Sequence, residues 1–266
     1  MGLRALGRVA GAELGKLGTL PAVRWTVAGT VGASALLSAA VTNAALGRSG
    51  TTETGAAEAG AAETGAAGAV DVAAAALQSV GLVQIGLVLL GVLAVSSEYA
   101  DGQIAASLAS VPDRTLFLIG KTVAWLGAAL GTALLGVATS YGAAYLVVRL
   151  DGAPARDGGE VVRAHAGAVG YLVLIGLLAY ATAFLLRNAV ATVATTLTLV
   201  LLVSPYLARF GGAARFLPDI AGKQAFHLGS LPPGALSPGT GILVLLGWCV
   251  ALLLLAGVTF RRRDAG

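Results

Sequence analysis

Few residues of this chain could do chemistry, and their spacing keeps them apart. The 266 residues include two histidines, His165 and His227, and one cysteine, Cys249. The histidines lack the spacing of zinc ligands, and one cysteine can form neither an internal disulfide nor a thiolate metal cluster. We therefore predict no metal site, no catalytic residue and no cofactor on the chain itself.

The tripeptide "GKT" at residues 120–122 suggests a phosphate-binding loop. Such a loop requires another glycine five residues before the Gly-Lys pair, and Thr115 occupies that position. The preceding segment also lacks the pattern of a β-strand. The chain is therefore not expected to bind a nucleotide through this tripeptide.

Composition places the chain in a membrane. Hydrophobic residues make up 57% of it and charged residues only 11%, whereas a soluble domain has about 25% charged residues. The mean hydropathy is +0.85. We predict a polytopic membrane protein with one domain over residues 1–266. The net charge of +4 does not indicate nucleic-acid binding, because no basic cluster is interleaved with aromatic residues.

Six runs are long enough to cross a bilayer, which takes roughly 20 apolar residues. The third run is too long for one untilted crossing, since ~33 residues at about 1.5 Å each exceed a ~30 Å core. We place Lys121 at its wet end, with the ammonium extended to the interface. The runs cover about 25–46, 72–95, 116–148, 165–186, 189–207 and 240–260.

The distribution of cations predicts the orientation. If the N-terminus is cytoplasmic, ten cations lie on the inner side and seven on the outer side, which together make the 17 Lys and Arg residues. An inner excess is the expected bias, and six spans then place both termini in the cytoplasm. The predicted membrane anchors are Lys121, Arg261, Arg262 and Arg263.

The first twenty residues predict an amphipathic helix lying on the inner membrane surface and ending near Pro21. A cleaved signal peptide is the alternative, but the apolar core that follows exceeds the usual 7–15 residues. The apolar residues at helical spacing are Leu3, Leu6, Ala10, Leu14 and Leu17, and the cations on other faces are Arg4, Arg8 and Lys16.

Two of the predicted outer loops differ in composition. Residues 47–71 repeat Ala, Gly, Thr and Glu, which is typical of a flexible solvated loop. Residues 208–238 mix apolar residues with Pro and Gly, and Pro218 suits a first helical position. Both a re-entrant or interfacial piece and an ordinary outer loop fit this second stretch.

The middle of each run contains no Asp, Glu, Lys or Arg, and Gln78 and Gln84 are the most polar central residues. Ionisable groups at membrane depth are kept for ion and proton pathways. Their absence counts against a proton-coupled transporter, an intramembrane protease and a metal enzyme.

A polar segment, residues 96–121 with the sequence "SSEYADGQIAASLASVPDRTLFLIGK", interrupts the apolar runs between spans two and three. Ser96 or Ser97 could cap a helix whose first turn holds Glu98 and Asp101. Apolar residues then follow at helical spacing, and Pro112 ends the helix. The pattern predicts a short cytoplasmic coupling helix within residues 96–115, with a solvated linker as the alternative. Its apolar stripe is Ile104, Leu108 and Val111.

This segment resembles the signature loop of bacterial ABC transporter permeases of the type-two export family. That loop has Glu, an aromatic, Gly-Thr-Ile, a short helix, Pro-x-Arg and then Lys. Gln103 departs from the pattern, since Thr is usual there. Residues 216–226, "FLPDIAGKQAF", also resemble the family's outer segment before the last span. The matching positions are Glu98, Tyr99, Gly102, Ile104, Pro112, Arg114 and Lys121.

The resemblance implies a permease subunit in the bacterial plasma membrane. Two permease halves, identical or different, would form the pathway, and separate ATPase chains would bind the ATP. The uncharged spans favour an apolar or amphipathic cargo. The alternative is a non-transporting scaffold or assembly factor. The implied ATPase-coupling residues are Glu98, Tyr99, Asp101, Gly102, Ile104, Leu108, Pro112 and Arg114, and the implied outer gate segment includes Leu217, Pro218 and Gly222.

In sum, the predicted fold is an all-α membrane protein. It has six transmembrane helices, an N-terminal interfacial helix, a short cytoplasmic coupling helix, and short re-entrant or interfacial helices before span six.

Overall fold

The structure, a computed structural model, describes residues 3–49, 70–100, 114–156, 159–210 and 212–263. Helices dominate these residues, which confirms the predicted all-α fold. The α-helices are α1 Leu3–Thr19, α2 Pro21–Ser49, α3 Val72–Gln78, α4 Val80–Ala100, α5 Arg114–Asp151, α6 Val161–Leu186, α7 Ala189–Thr198, α8 Ser204–Leu207, α9 Pro218–Lys223 and α10 Pro238–Arg263. A π-helical turn, Leu199–Val203, separates α7 from α8, and 3-10 turns at Gly212–Phe216 and Gln224–Phe226 flank α9.

Six stretches of helix are long and apolar enough to cross a membrane, as predicted. The chain is therefore a multi-pass membrane protein. Span two combines α3 and α4, which meet at Ser79, and span five combines α7, the π turn and α8. The spans are Pro21–Gly47, Val72–Ser97, Thr115–Asp151, Val161–Leu186, Ala189–Leu207 and Pro238–Thr259.

Spans two and four form the centre of the bundle. In the most apolar stretch of each span, 67% of the residues of span two and 61% of those of span four are buried within the chain. The corresponding share is 22% in each of spans one, five and six. The outer spans therefore present most of their apolar surface to lipid or to another chain. The largest fully buried side chains include Trp125, Tyr171, Tyr180, Leu87 and Leu172.

The bundle has two ends, called here the near face and the far face. The near face carries α1 and the start of α5. The end of α10 lies there too, because a Cβ at Gly257 would lie 3.9 Å from Leu118. At the far face, strand β1 (Val70–Asp71) pairs in parallel with β2 (Ala155–Arg156). This pairing holds the start of span two beside the connection after span three.

Buried hydroxyl groups join spans one, two and three. Ser38 Oγ donates to the carbonyl of Ser140 at 2.7 Å, and Ser34 Oγ donates to Gly136 at 3.4 Å. Ser79 Oγ, at the junction of α3 and α4, lies 2.7 Å from Ser140 Oγ. Side-chain hydrogen bonds of this kind connect helices where lipid gives no hydrophobic preference for helix contact.

The predicted helix start at Ser96 or Ser97 is wrong. Both serines lie inside α4, which continues from span two to Ala100. The helix persists because no proline or glycine interrupts the sequence from Val92 to Ala100. Residues 101–113, which make up most of the predicted coupling helix, lie outside the described residues. Residues 50–69 of the predicted outer loop also lie outside them.

Candidate functional site

Helix α1 packs closely across the beginning of α5 at the near face. Gly120 permits the approach, because a Cβ there would lie 2.5 Å from Cγ1 of Val9 and 3.6 Å from the backbone nitrogen of Ala10. Leu17 is buried at the other end of the contact. The predicted interfacial helix is thus confirmed as a helix and is docked against the bundle.

An ion pair lies beneath this contact. Lys121 Nζ donates to Glu13 Oε2 at 2.7 Å, and the two side chains are only 4% and 11% exposed. The ammonium also lies 5.8 Å from the centre of the Phe117 ring. Helix α1 covers the ammonium and supplies its counter-ion, and the interfacial position of Lys121 stays a prediction.

Removing one member of such a pair is costly. An unpaired buried charge costs about 3–5 kcal/mol, whereas replacing both members by apolar residues of similar size is often neutral or stabilising. Glu13 and Lys121 therefore tie α1 to α5 in a single arrangement.

The same turns of α5 also contact the centre of the bundle. Thr122 Oγ1 lies 3.2 Å from the Tyr180 hydroxyl, and the Trp125 and Tyr180 rings stack with centroids 5.1 Å apart. Trp125 also lies over Gly176, where a Cβ would be 3.1 Å from the indole. The start of α5 is therefore held by α1 on one side and by α6 on the other.

The predicted surface cations of α1 are placed in keeping with an interfacial helix. Arg4 and Arg8 are exposed, and Lys16 is half-buried. Leu14, which the sequence places on the apolar face of α1, is 46% exposed. Its side chain is available to lipid at the bilayer surface.

The structure describes part of the predicted ATPase-coupling set. Glu98 and Tyr99 belong to the last turn of α4, and Arg114 is the first residue of α5. The polar segment therefore joins two elements of the near face. Arg261, Arg262 and Arg263 form the end of α10, beyond the last residue of span six. The coupling residues outside the described ranges are Asp101, Gly102, Ile104, Leu108 and Pro112.

At the far face, residues 212–226, called here the re-entrant segment, pack against the helices of the bundle. Leu217 is extended and Pro218 begins α9. A Cβ at Gly222 would lie 2.6 Å from the Tyr171 ring and 2.7 Å from Leu245. Tyr171 lies about 15 Å along α6 and Leu245 about 10 Å along α10 from the far ends of those helices. Of the two alternatives left by the sequence, these contacts fit a re-entrant or interfacial piece rather than an ordinary outer loop.

Two glycines allow the backbone of the re-entrant segment to pack closely against spans four and six. A Cβ at Gly167 of α6 would collide with the carbonyl oxygen of Ala225, and one at Gly241 of α10 would collide with that of Ala221. Arg163 adds hydrogen bonds from its guanidinium to the carbonyls of Ala225 and His227, at 3.3 and 2.7 Å. The segment is thus wedged between spans four and six.

Arg163 also organises the start of α6. Its guanidinium donates to Glu160 Oε2 at 2.7 Å, and this hydrogen bond, with the positive charge, lowers the pKa of the Glu160 carboxyl. Both side chains are largely exposed, so the ion pair contributes little to stability.

Asp219 is a polar residue whose burial the sequence does not predict. It lies in the first turn of α9 and is fully buried. Its Oδ2 is 3.3 Å from Lys223 Nζ, and its Oδ1 has no partner among the described residues. A Pro-Asp pair in a polar connection suggests only a solvated helix start. The burial of Asp219 results from the packing of the segment against the bundle, which local sequence does not reveal.

The described residues include no group of three or more His, Cys, Asp and Glu that could hold a metal ion. Cys249 is buried, and its thiol donates to the Leu174 carbonyl at 3.1 Å, in keeping with a packing role.

The fold and these contacts define a class: a six-span, all-α, multi-pass membrane protein with a docked surface helix and a re-entrant segment. No protein-family model matches the chain, and no curated protein is found to be similar to it.

Proposed function

We propose that the chain is the permease subunit of an ATP-driven exporter. It would form half of a substrate pathway with a second permease half, identical or different. Separate ATPase chains would supply the energy by docking at the near face. The observation that carries the proposal is the buried Glu13–Lys121 ion pair, which joins α1 to α5 at the last residue of the polar segment.

The contacts of α5 can transmit a displacement at the near face to α1 and α6. The polar segment includes Arg114, where α5 begins, and it ends at Lys121, about two turns later on the same helix. A displacement at Arg114 acts on α1 through the ion pair, and on α6 through the contacts of Trp125 with Tyr180. Continuous helix is a stiff connection, so movement at the near face is carried along all of α5.

The length of α5 extends this connection across the bilayer. The helix has 38 residues, or about 57 Å, against a hydrocarbon core of about 30 Å. The Tyr141 and Tyr145 rings stack near its far end, where aromatic residues are typical of the membrane interface. One element therefore links the near face to the far face.

In the proposed cycle, the re-entrant segment closes the far end of the pathway. Its backbone lies against Gly167 and Gly241 of two spans, so relative movement of those spans would release it. The near face would be cytoplasmic, as the excess of inner cations predicts. The bacterial plasma membrane is the proposed location.

Co-expression with an ATPase tests the proposal. The candidate partner is a neighbouring gene product with the Gly-x-x-x-x-Gly-Lys-Ser/Thr loop. We expect it to copurify with this chain, and Glu98→Arg and Ile104→Pro to reduce its coupled ATP hydrolysis while membrane insertion is unchanged. Asp151→Arg, a charge reversal at the far end of α5, is the control.

Two results would count against the proposal. Absence of a copurifying ATPase would favour the scaffold alternative. Coupled hydrolysis that is the same in the Glu98→Arg, Ile104→Pro and Asp151→Arg variants would remove the polar segment from the mechanism.

A further inference from the structure

An open groove lies between spans three and four, towards the far face. It has a volume of about 530 Å³ and an almost wholly apolar lining, which includes Val137 and Ala138 of α5 and Val169 of α6. Leu134 and Val162, which also line it, are 50% and 82% exposed. The groove therefore opens to the surroundings of the bundle, and its volume is that of a site for a small molecule.

A row of stacked side chains leads from this groove to a cation. Of the lining residues on α5, Tyr141 is nearest the far face, and His165 of α6 packs edge-on against its ring with centroids 5.2 Å apart. The Tyr141 and Tyr145 rings stack with centroids 6.5 Å apart. The Arg149 guanidinium then lies 5.1 Å from the centre of the Tyr145 ring. The spacing of four residues places this row along one side of α5, continuous with the groove.

The guanidinium of Arg149 is oriented by one hydrogen bond and keeps donors for a ligand. Its Nε donates to the Tyr145 hydroxyl at 2.8 Å, and its two terminal nitrogens have no partner among the described residues. Asp151, two positions further on, faces another side of the helix and lines a separate groove with Asn43 of α2. A planar guanidinium with unused donors is well suited to a phosphate group.

The spacing along α5 matches the layers of a bilayer. From Lys121 to Arg149 the helix rises about 42 Å, and a bilayer with its headgroups is about 40–45 Å thick. The groove, from Tyr141 to Leu134, lies about 12–22 Å deeper than Arg149 along the helix. A headgroup layer of about 5–7 Å and an apolar half-layer of about 15 Å cover the same depth. With Arg149 at the headgroups, the groove therefore lies beside the acyl chains of the same leaflet.

A phospholipid can satisfy both parts of this surface at once. An acyl chain fills the apolar groove, and the phosphate accepts hydrogen bonds from Arg149. A soluble phosphate would meet only the guanidinium, and an apolar molecule would meet only the groove. A headgroup with net negative charge is favoured, because one arginine at a membrane surface contributes about 1 kcal/mol to the attraction of anionic lipid.

We propose that the groove and Arg149 form a binding site for one anionic phospholipid of the far-face leaflet. An acyl chain lies between α5 and α6, and the phosphate lies on the guanidinium. The inference goes beyond the proposed export function and does not depend on it, because a resident lipid can bind a transporter or a scaffold alike.

Native mass spectrometry of the full chain in an uncharged detergent measures the binding of single lipids. The probes are dioleoyl phosphatidylglycerol, which is anionic, and dioleoyl phosphatidylcholine, which has the same chains and no net charge. The competitor is sn-glycerol 3-phosphate, which has the phosphate and no chains.

Two variants, each with a matched control, separate the cation from the groove. Arg149→Gln removes the cation, and Arg209→Gln makes the same change at an exposed arginine beyond the far end of span five. Ala138→Trp fills the groove from an exposed position of its lining. Leu135→Trp adds an indole at a position of α5 that is 54% exposed and does not line the groove.

We expect one phosphatidylglycerol to bind about fivefold more tightly than phosphatidylcholine, the equivalent of about 1 kcal/mol. Arg149→Gln should abolish this preference, and Arg209→Gln should retain it. Ala138→Trp should weaken the binding of both lipids several-fold, and Leu135→Trp should leave it unchanged.

Equal binding of the two lipids to the unaltered chain would overturn the proposal, as would an unchanged preference in Arg149→Gln. Unchanged lipid binding by Ala138→Trp would exclude the groove and overturn it too. Displacement of phosphatidylglycerol by sn-glycerol 3-phosphate would identify a site for free phosphate instead. A dimer of the chain that binds no lipid would identify the groove as a protein interface, and either result would overturn the proposal.

Discussion

Removing one member of the Glu13–Lys121 pair should strongly destabilise the protein. The Lys121→Met variant leaves a carboxylate that is 11% exposed, and the Glu13→Gln variant leaves an ammonium that is 4% exposed. Each group is shielded from water, so little of its solvation is regained. We expect each single variant to lose about 3–5 kcal/mol, because a buried charge is left without a partner.

The double variant separates the ion pair from the packing around it. Glu13→Leu combined with Lys121→Met removes both charges and keeps an apolar contact beneath α1. We expect its stability to lie close to that of the unaltered chain, since apolar replacements of buried ion pairs are often neutral or stabilising. The double variant should therefore be about 3–5 kcal/mol more stable than either single variant.

Thermal unfolding of the purified chain in detergent measures these effects. A change of 1 kcal/mol shifts Tm by about 2–4 °C in a chain of this size, so the single variants should unfold roughly 6–20 °C earlier. Arg8→Met, which removes an exposed cation of the same helix, is the control and should change Tm little. If the single variants unfold at the same temperature as Arg8→Met, the Glu13–Lys121 pair is not buried, because exposed pairs contribute about 1 kcal/mol or less.

Two further substitutions test the packing of the bundle by the same measurement. Gly167→Ala should cost about 1–3 kcal/mol, because its methyl group would collide with the Ala225 carbonyl. Gly127→Ala is the control and should be tolerated, because open space surrounds that position. Equal Tm values for these two variants would contradict the close packing of the re-entrant segment against α6. Ser140→Ala should cost about 0.6 kcal/mol, since it removes a hydroxyl shared with Ser79. Thr139→Ala, whose hydroxyl bonds only within its own helix, should change less, and the reverse order would contradict the interhelical bond.

The spans and the surface helix could be predicted because their signals are local. A run of about 20 apolar residues meets a physical requirement of the bilayer wherever it stands in the chain. The spacing of Leu6, Ala10 and Leu17 likewise predicts a helix with one apolar face. Each of these elements follows from the residues it contains, and the structure confirms them.

The contacts of the candidate site could not be predicted, because they depend on which helices cross. Lys121 on an isolated span belongs at the interface, and only the docking of α1 brings Glu13 to it. Asp219 in an isolated connection belongs in water, and only the packing against α6 and α10 buries it. The end of α4 was also misplaced, because serine can cap a helix or continue one.

The Glu13–Lys121 pair also sets an order of assembly during synthesis. The two residues are 108 positions apart in the chain, so the ribosome completes spans one and two before Lys121 exists. Until then, Glu13 has no counter-ion from α5. The buried pair can consequently close only after the start of the third span has been synthesised, which makes it a late contact of the fold.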